Sequence, residues 1–134
     1  MTKLTAIEGI ADTYAKKLKT AGVPTVEALL EKGATPAGRE ELAASAAISS
    51  KLILEWINLA DLFRIKGIGE EYSDLLEEAG VDTVPELAQR NAANLFAKLV
   101  EVNAEKKLVR RVPTLSQVTS WIEQAQALPR IIQY

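Results

Sequence analysis

A chain of 134 residues, 48% of them apolar, is long and apolar enough to bury a core as one ordinary domain. It has no cysteine and no histidine, which excludes disulfides, thiolate nucleophiles, zinc sites built on those ligands and imidazole acid–base chemistry. Sixteen basic and eighteen acidic side chains give a net charge of −2, so a nucleic-acid role requires basic residues gathered on one face.

Helical spacing dominates, and no stretch alternates as a strand. Thr5 and Glu8 have the spacing of a capping box for a short opening turn, ended by Gly9. Tyr14, Leu18 and Ala21 predict a short amphipathic helix from Asp12, closed by Gly22 as a left-handed cap. Thr25 can N-cap a helix running to about Lys32, stopped by Gly33. Thr35-Pro36 is a further start, for a helix that carries Leu42 and ends before Ile48. Ser49 caps the longest predicted helix, about Ser50 to Arg64, whose Leu52, Ile53, Trp56, Ile57, Ala60 and Phe63 form one broad apolar face.

The plan then recurs. A shift of 58 residues lays Ile7 on Ile65, Gly9 on Gly67, Ile10 on Ile68, Tyr14 on Tyr72 and Leu18 on Leu76. It continues through Ala21-Gly22-Val23 on Ala79-Gly80-Val81 and Thr25-Val26 on Thr83-Val84. Thr83 and Glu86 predict a capping box around Pro85, and Asn91 starts a helix carrying Leu95, Phe96 and Leu99. Asn103–Arg111 is an insertion absent from the first copy. Thr114 with Gln117 opens the counterpart of the long helix, where Val118, Trp121, Ile122, Ala125 and Leu128 match Ile53, Trp56, Ile57, Ala60 and Phe63 at a shift of 65. Pro129 ends it. Arg130–Tyr134 is an apolar tail expected to pack back on the domain or to dock a partner.

No Gly/Ser-rich linker separates the copies. The expected architecture is all-α: one compact pseudo-twofold domain over 1–134 with roughly ten short helices, repeat 1 about 4–61, repeat 2 about 62–128 and a tail at 129–134. No apolar run approaches the roughly 20 residues of a membrane span. Met1-Thr2-Lys3-Leu4 runs directly into the first copy and leaves no room for a signal peptide. A cytoplasmic protein without a membrane partner is expected.

The pattern apolar-x-Gly-apolar-Gly between helices, complete at Ile65, Gly67, Ile68 and Gly69, resembles the helix-hairpin-helix motif. At Ile7, Gly9, Ile10 and Ala11 the last glycine is replaced by alanine. Over nearly its full length the chain resembles an uncharacterised bacterial domain-of-unknown-function family related to tandem helix-hairpin-helix proteins. That resemblance implies sequence-independent binding to a nucleic-acid backbone, such as DNA, through the hairpin amides and nearby lysines. The physics is that a helix N-terminus offers unpaired N–H groups and partial positive charge, glycine permits close approach, and lysines displace counterions.

Charge separates the two copies. Lys16, Lys17 and Lys19 follow the first hairpin and suit phosphate. Glu70, Glu71, Asp74, Glu77 and Glu78 follow the second and repel it. Lys106, Lys107, Arg110 and Arg111 form the densest basic cluster, either an anion site or a charged solvent-facing helix. The alternative for Gly67 and Gly69 is a tight turn and close helix packing, which the acidic surroundings favour, and for Lys16, Lys17 and Lys19 a solvated helix face, the commoner role of such a cluster. Trp56, Trp121, Tyr14 and Tyr72 sit on apolar faces and read as core. No catalytic set, metal constellation or cofactor loop is present. Two functions follow: a non-catalytic module binding nucleic-acid backbone weakly, or a protein-interaction or self-association module whose hairpins are structural.

Overall fold

Side-chain caps set most of the helix starts in the computed structural model, which describes residues 1–134. Thr25 accepts from the Ala28 amide at 3.1 Å and opens α2 (Val26–Lys32). Thr35 accepts from Gly38 at 3.1 Å and, with Pro36 at the first helical position, opens α3 (Pro36–Ala46). Thr83 opens α6 (Val84–Ala88), and Asn91 opens α7 (Ala92–Lys106). Thr114 and Gln117 form a complete reciprocal box at the head of α8 (Leu115–Ala127).

The other elements are a 3₁₀ turn at Leu4–Ala6, α1 (Asp12–Thr20), α4 (Ser50–Leu62) and α5 (Glu70–Glu78). The chain is all-α; its one β feature is an isolated antiparallel bridge between Lys3 and Thr25. Eight α-helices and one 3₁₀ turn replace the roughly ten helices expected. Two local expectations need correction. The opening turn starts after Lys3 with no side-chain cap, so Thr5 lies inside the turn rather than capping it. The long helix stops at Leu62, not Arg64, because the Ile65 amide closes onto the Leu62 carbonyl at 3.1 Å and turns the chain into the hairpin.

The chain forms two compact units. Unit 1 comprises Met1–Asp61 together with Ile131–Tyr134, and unit 2 comprises Leu62–Arg130. In unit 1, α3 packs with α1 and α2, and Leu4, Ile7, Leu18, Leu29, Leu42, Ile53 and Ile57 are buried. In unit 2, α8 packs on α6 and α7 over Ile65, Leu75, Leu76, Val81, Leu87, Leu99 and Val118. Burial of such side chains is worth about 1.5–3 kcal/mol each, and dominates short helices that are marginal alone.

The insertion has two parts. α7 has fifteen residues against eleven in α3, and it ends on Lys107 in the left-handed region, φ 51°, as α3 ends on Ala47, φ 56°. Asn103 then fixes the exit, accepting from the Val109 amide at 2.9 Å and donating to its carbonyl at 3.2 Å. The tail does not float: Ile132 is buried in unit 1.

Candidate functional site

Each hairpin is a four-residue turn with glycine in third place. The Ile10 amide donates to the Ile7 carbonyl at 3.1 Å and Gly9 takes φ 97°; the Ile68 amide donates to Ile65 at 3.2 Å and Gly67 takes φ 98°. That position demands positive φ, which glycine adopts without steric cost. A second constraint lies beneath. A Cβ on Gly9 would sit 3.2 Å from Trp56 Nε1, and on Gly67 only 2.9 Å from Trp121 Nε1. The tryptophans are themselves held by tyrosines, with ring centroids 5.0 Å apart for Tyr14–Trp56 and 5.2 Å for Tyr72–Trp121. Each turn therefore rests on a tryptophan floor.

Of the six hairpin residues, Ile10 and Ile68 point into the cores, while Gly9, Ala11, Gly67 and Gly69 are exposed. The last motif position needs no glycine here. Ala11 has φ −95° and Gly69 φ −122°, and nothing lies within 4 Å of a Cβ placed on Gly69. Alanine at position 11 leaves the turn intact.

The surroundings differ. Gln124 clasps the second hairpin, accepting from the Lys66 amide at 2.9 Å and donating to the Lys66 carbonyl at 3.3 Å. Its counterpart at a shift of 65 is Leu59, a buried side chain with no polar group to offer Glu8. No side chain caps α1 at Ala11 or α5 at Gly69; the first turn of α1 carries one acidic residue, Asp12, and that of α5 two, Glu70 and Glu71. Lys3, Lys16 and Lys19, with Asp12, line a cavity of about 420 Å³ beside this turn. Lys17 lies over the Tyr14 ring, 5.8 Å from its centroid.

Lys3 is the residue that sequence reasoning missed. Helical periodicity carries no signal for it, because a backbone bridge places it. Lys3 pairs with Thr25, the Val26 amide donates to the Thr2 carbonyl at 3.0 Å, and the Thr2 amide donates to Glu27 Oε1 at 2.7 Å. Slight burial works against ionising Glu27, but the bonds from Thr2 outweigh it and hold its carboxyl below the usual range. Gln124 was missed too, since its role depends on a partner 58 residues away.

The basic insertion lies among carboxylates. Lys106 Nζ is 2.6 Å from Glu78 Oε2, and that hydrogen bond and charge raise its pKa above the ordinary lysine value. Arg110 borders a 490 Å³ cleft with Gly69, Glu70, Glu71 and Tyr72. Arg111 contributes its carbonyl to the Tyr72 hydroxyl at 3.0 Å, and Lys107 is the left-handed cap of α7. Carboxylate oxygens of Asp74, Glu77 and Glu78 approach within 4.8 Å of one another, and the Lys106 ammonium holds one of the three. No buried side-chain polar atom lacks a hydrogen-bond partner. No helix is long and apolar enough to cross a membrane.

The family described as Domain of unknown function (DUF4332) matches residues 8–128, from the first hairpin to the end of α8. The chain belongs to that family. The match takes in the second hairpin, the first from Glu8 onward, both tryptophan floors and the insertion of this DUF4332 domain, while Lys3, Ile7 and Ile131–Tyr134 lie outside it. No solved structure matches the chain.

Proposed function

We propose that this DUF4332 domain is a non-catalytic, bacterial helix-hairpin-helix module that binds nucleic-acid backbone, DNA included, weakly and without sequence preference. The first hairpin is the binding element. The observation that carries this is the cavity lined by Lys3, Lys16 and Lys19 at the start of α1, a helix whose first turn holds one carboxylate against two in α5. Phosphate suits that position on two grounds: the positive end of a nine-residue helix, and ammonium groups that release counterions. At the second hairpin Gln124 already engages the turn, and Glu70 and Glu71 supply the negative charge that the start of α5 favours. Binding by one such element falls at about micromolar affinity or weaker at physiological salt. A cytoplasmic setting, where nucleic acid is at hand, goes with this reading.

The test is a titration of labelled duplex and single-stranded DNA at two salt concentrations. The intact chain should bind more tightly at low salt, and Lys16→Glu, Lys17→Glu and Lys19→Glu together should weaken binding at least about tenfold. Absence of binding at low salt, or equal binding by the variant, removes this function.

One observation favours a second reading. Gly9 and Gly67 each take positive φ with a tryptophan close beneath, which suffices to explain the turns without any ligand. The domain would then be a protein-interaction or self-association module with structural hairpins. A rise in scattering mass with concentration, in a chain that ignores DNA, supports it.

A further inference from the structure

Ile131–Tyr134 belongs to unit 1, although the chain reaches it only after completing unit 2. Its mode of attachment is that of a bound peptide. Both main-chain groups of Gln133 are captured: its amide donates to the Ala34 carbonyl at 2.7 Å, and its carbonyl accepts from the Arg39 guanidinium at 2.8 Å. The flanking side chains are held differently, Ile132 in the core and Tyr134 on the surface. Ile132 is buried to 2% exposure, and the Tyr134 hydroxyl donates to Asn58 Oδ1 at 2.7 Å while its ring lies 5.9 Å from the Arg39 guanidinium carbon.

Arg39 is the pivot. It is 93% buried, its other nitrogen donates to the Gly33 carbonyl at 2.8 Å, and the planar fork spans the two carbonyls at once. The Gln133 side chain, by contrast, is exposed. Capture of the backbone at one residue, an apolar anchor before it and an aromatic hydroxyl after it define a recognition pattern: apolar, any, tyrosine, in extended form.

We propose that the Ala34–Arg39–Asn58 face of unit 1 is a peptide-recognition groove for an extended apolar-x-tyrosine segment, occupied in this structure by the chain's own Ile131–Tyr134 as a releasable ligand. Held in cis, the segment binds at a high effective concentration, so it occupies the groove while contributing few contacts of its own. The proposal does not depend on the hairpin reading.

The test uses the full chain carrying Gln133→Pro, in which the amide that donates to Ala34 is absent. A synthetic peptide copying residues 130–134, blocked at both ends, is titrated into the labelled variant while the backbone amide signals of Ala34, Thr35 and Asn58 are followed. Saturable binding that returns those signals to their positions in the unaltered chain is expected, and Arg39→Lys added to the variant should weaken the peptide at least about tenfold. No saturable response, or one indifferent to Arg39→Lys, overturns the proposal. Should Gln133→Pro fail to fold, amide exchange in the unaltered chain decides. The Gln133 amide should exchange at least about tenfold faster than the Leu42 amide of α3, through opening of the segment alone. Equal rates would make the segment an inseparable part of unit 1 and overturn the proposal.

Discussion

The hairpins at Ile7–Ala11 and Ile65–Gly69 share their turn, φ 97° against 98° at the third residue, and share a tryptophan beneath it, yet the helices that follow them meet solvent with opposite charge. Lys16 and Lys19 of α1 occupy the positions of Asp74 and Glu77 of α5 at a shift of 58, while within the turns the order is reversed, with Glu8 in the place of Lys66. The two segments agree where packing leaves no choice and diverge where side chains face water. Gly9 and Gly67 cannot change without meeting an indole, whereas a lysine or a glutamate costs a helix surface about the same. The better match to a motif is therefore no guide to the charge that surrounds it.

The comparison is broken most severely at the floors. Trp56→Ala and Trp121→Ala should each cost about 3–5 kcal/mol in urea denaturation, since both indoles are 2% exposed. A loss below about 1 kcal/mol at either would show that the floors are not equivalent. Next come the turn glycines. Gly67→Ala should cost about 2–3 kcal/mol and Gly9→Ala about 1–2, ordered by the 2.9 Å and 3.2 Å approaches to the indoles. Gly69→Ala should stay within about 0.5 kcal/mol, because its backbone is extended and its surroundings are open. Gln124→Leu, which gives the second hairpin the first one's arrangement, should cost about 1 kcal/mol and speed exchange of the Lys66 amide.

The smallest effects are in pH dependence, and they have opposite signs in the two units. Glu27 titrates below its unfolded value, so its contribution is present above the usual carboxylate range and is lost as pH falls through the folded pKa. Glu86 is raised, by burial first and then by the hydrogen bond and charge of Asp82, so its ionisation subtracts stability as pH rises past the unfolded value. Across a pH series of melting curves, Glu27→Gln should flatten the acid limb, and Glu86→Gln should raise stability near neutrality.

Much of this fold was legible because its signals are local. Thr25, Thr35, Asn91 and Thr114 announce their helices through a side chain and an amide three residues on. Thr5 misled because the same spacing occurred where the chain made only a 3₁₀ turn. The surroundings of the site were less legible, because they depend on distant partners. Lys3 is positioned by a bridge to Thr25, Gln124 reaches Lys66, and Glu78 meets Lys106 across 28 residues. Charge runs in the sequence showed the basic insertion, but not that α5 would supply its counter-ions.

The most direct measurement is the salt dependence of DNA binding by two variants with altered charge in different units. Lys16→Glu, Lys17→Glu and Lys19→Glu together should weaken binding at least about tenfold and make the slope of log affinity against log salt shallower by about two to three. Lys107→Gln with Arg111→Gln should change affinity less than about threefold and leave the slope nearly unaltered. Equal losses in the two variants, or no binding by the intact chain at low salt, would contradict assignment of the site to the first hairpin.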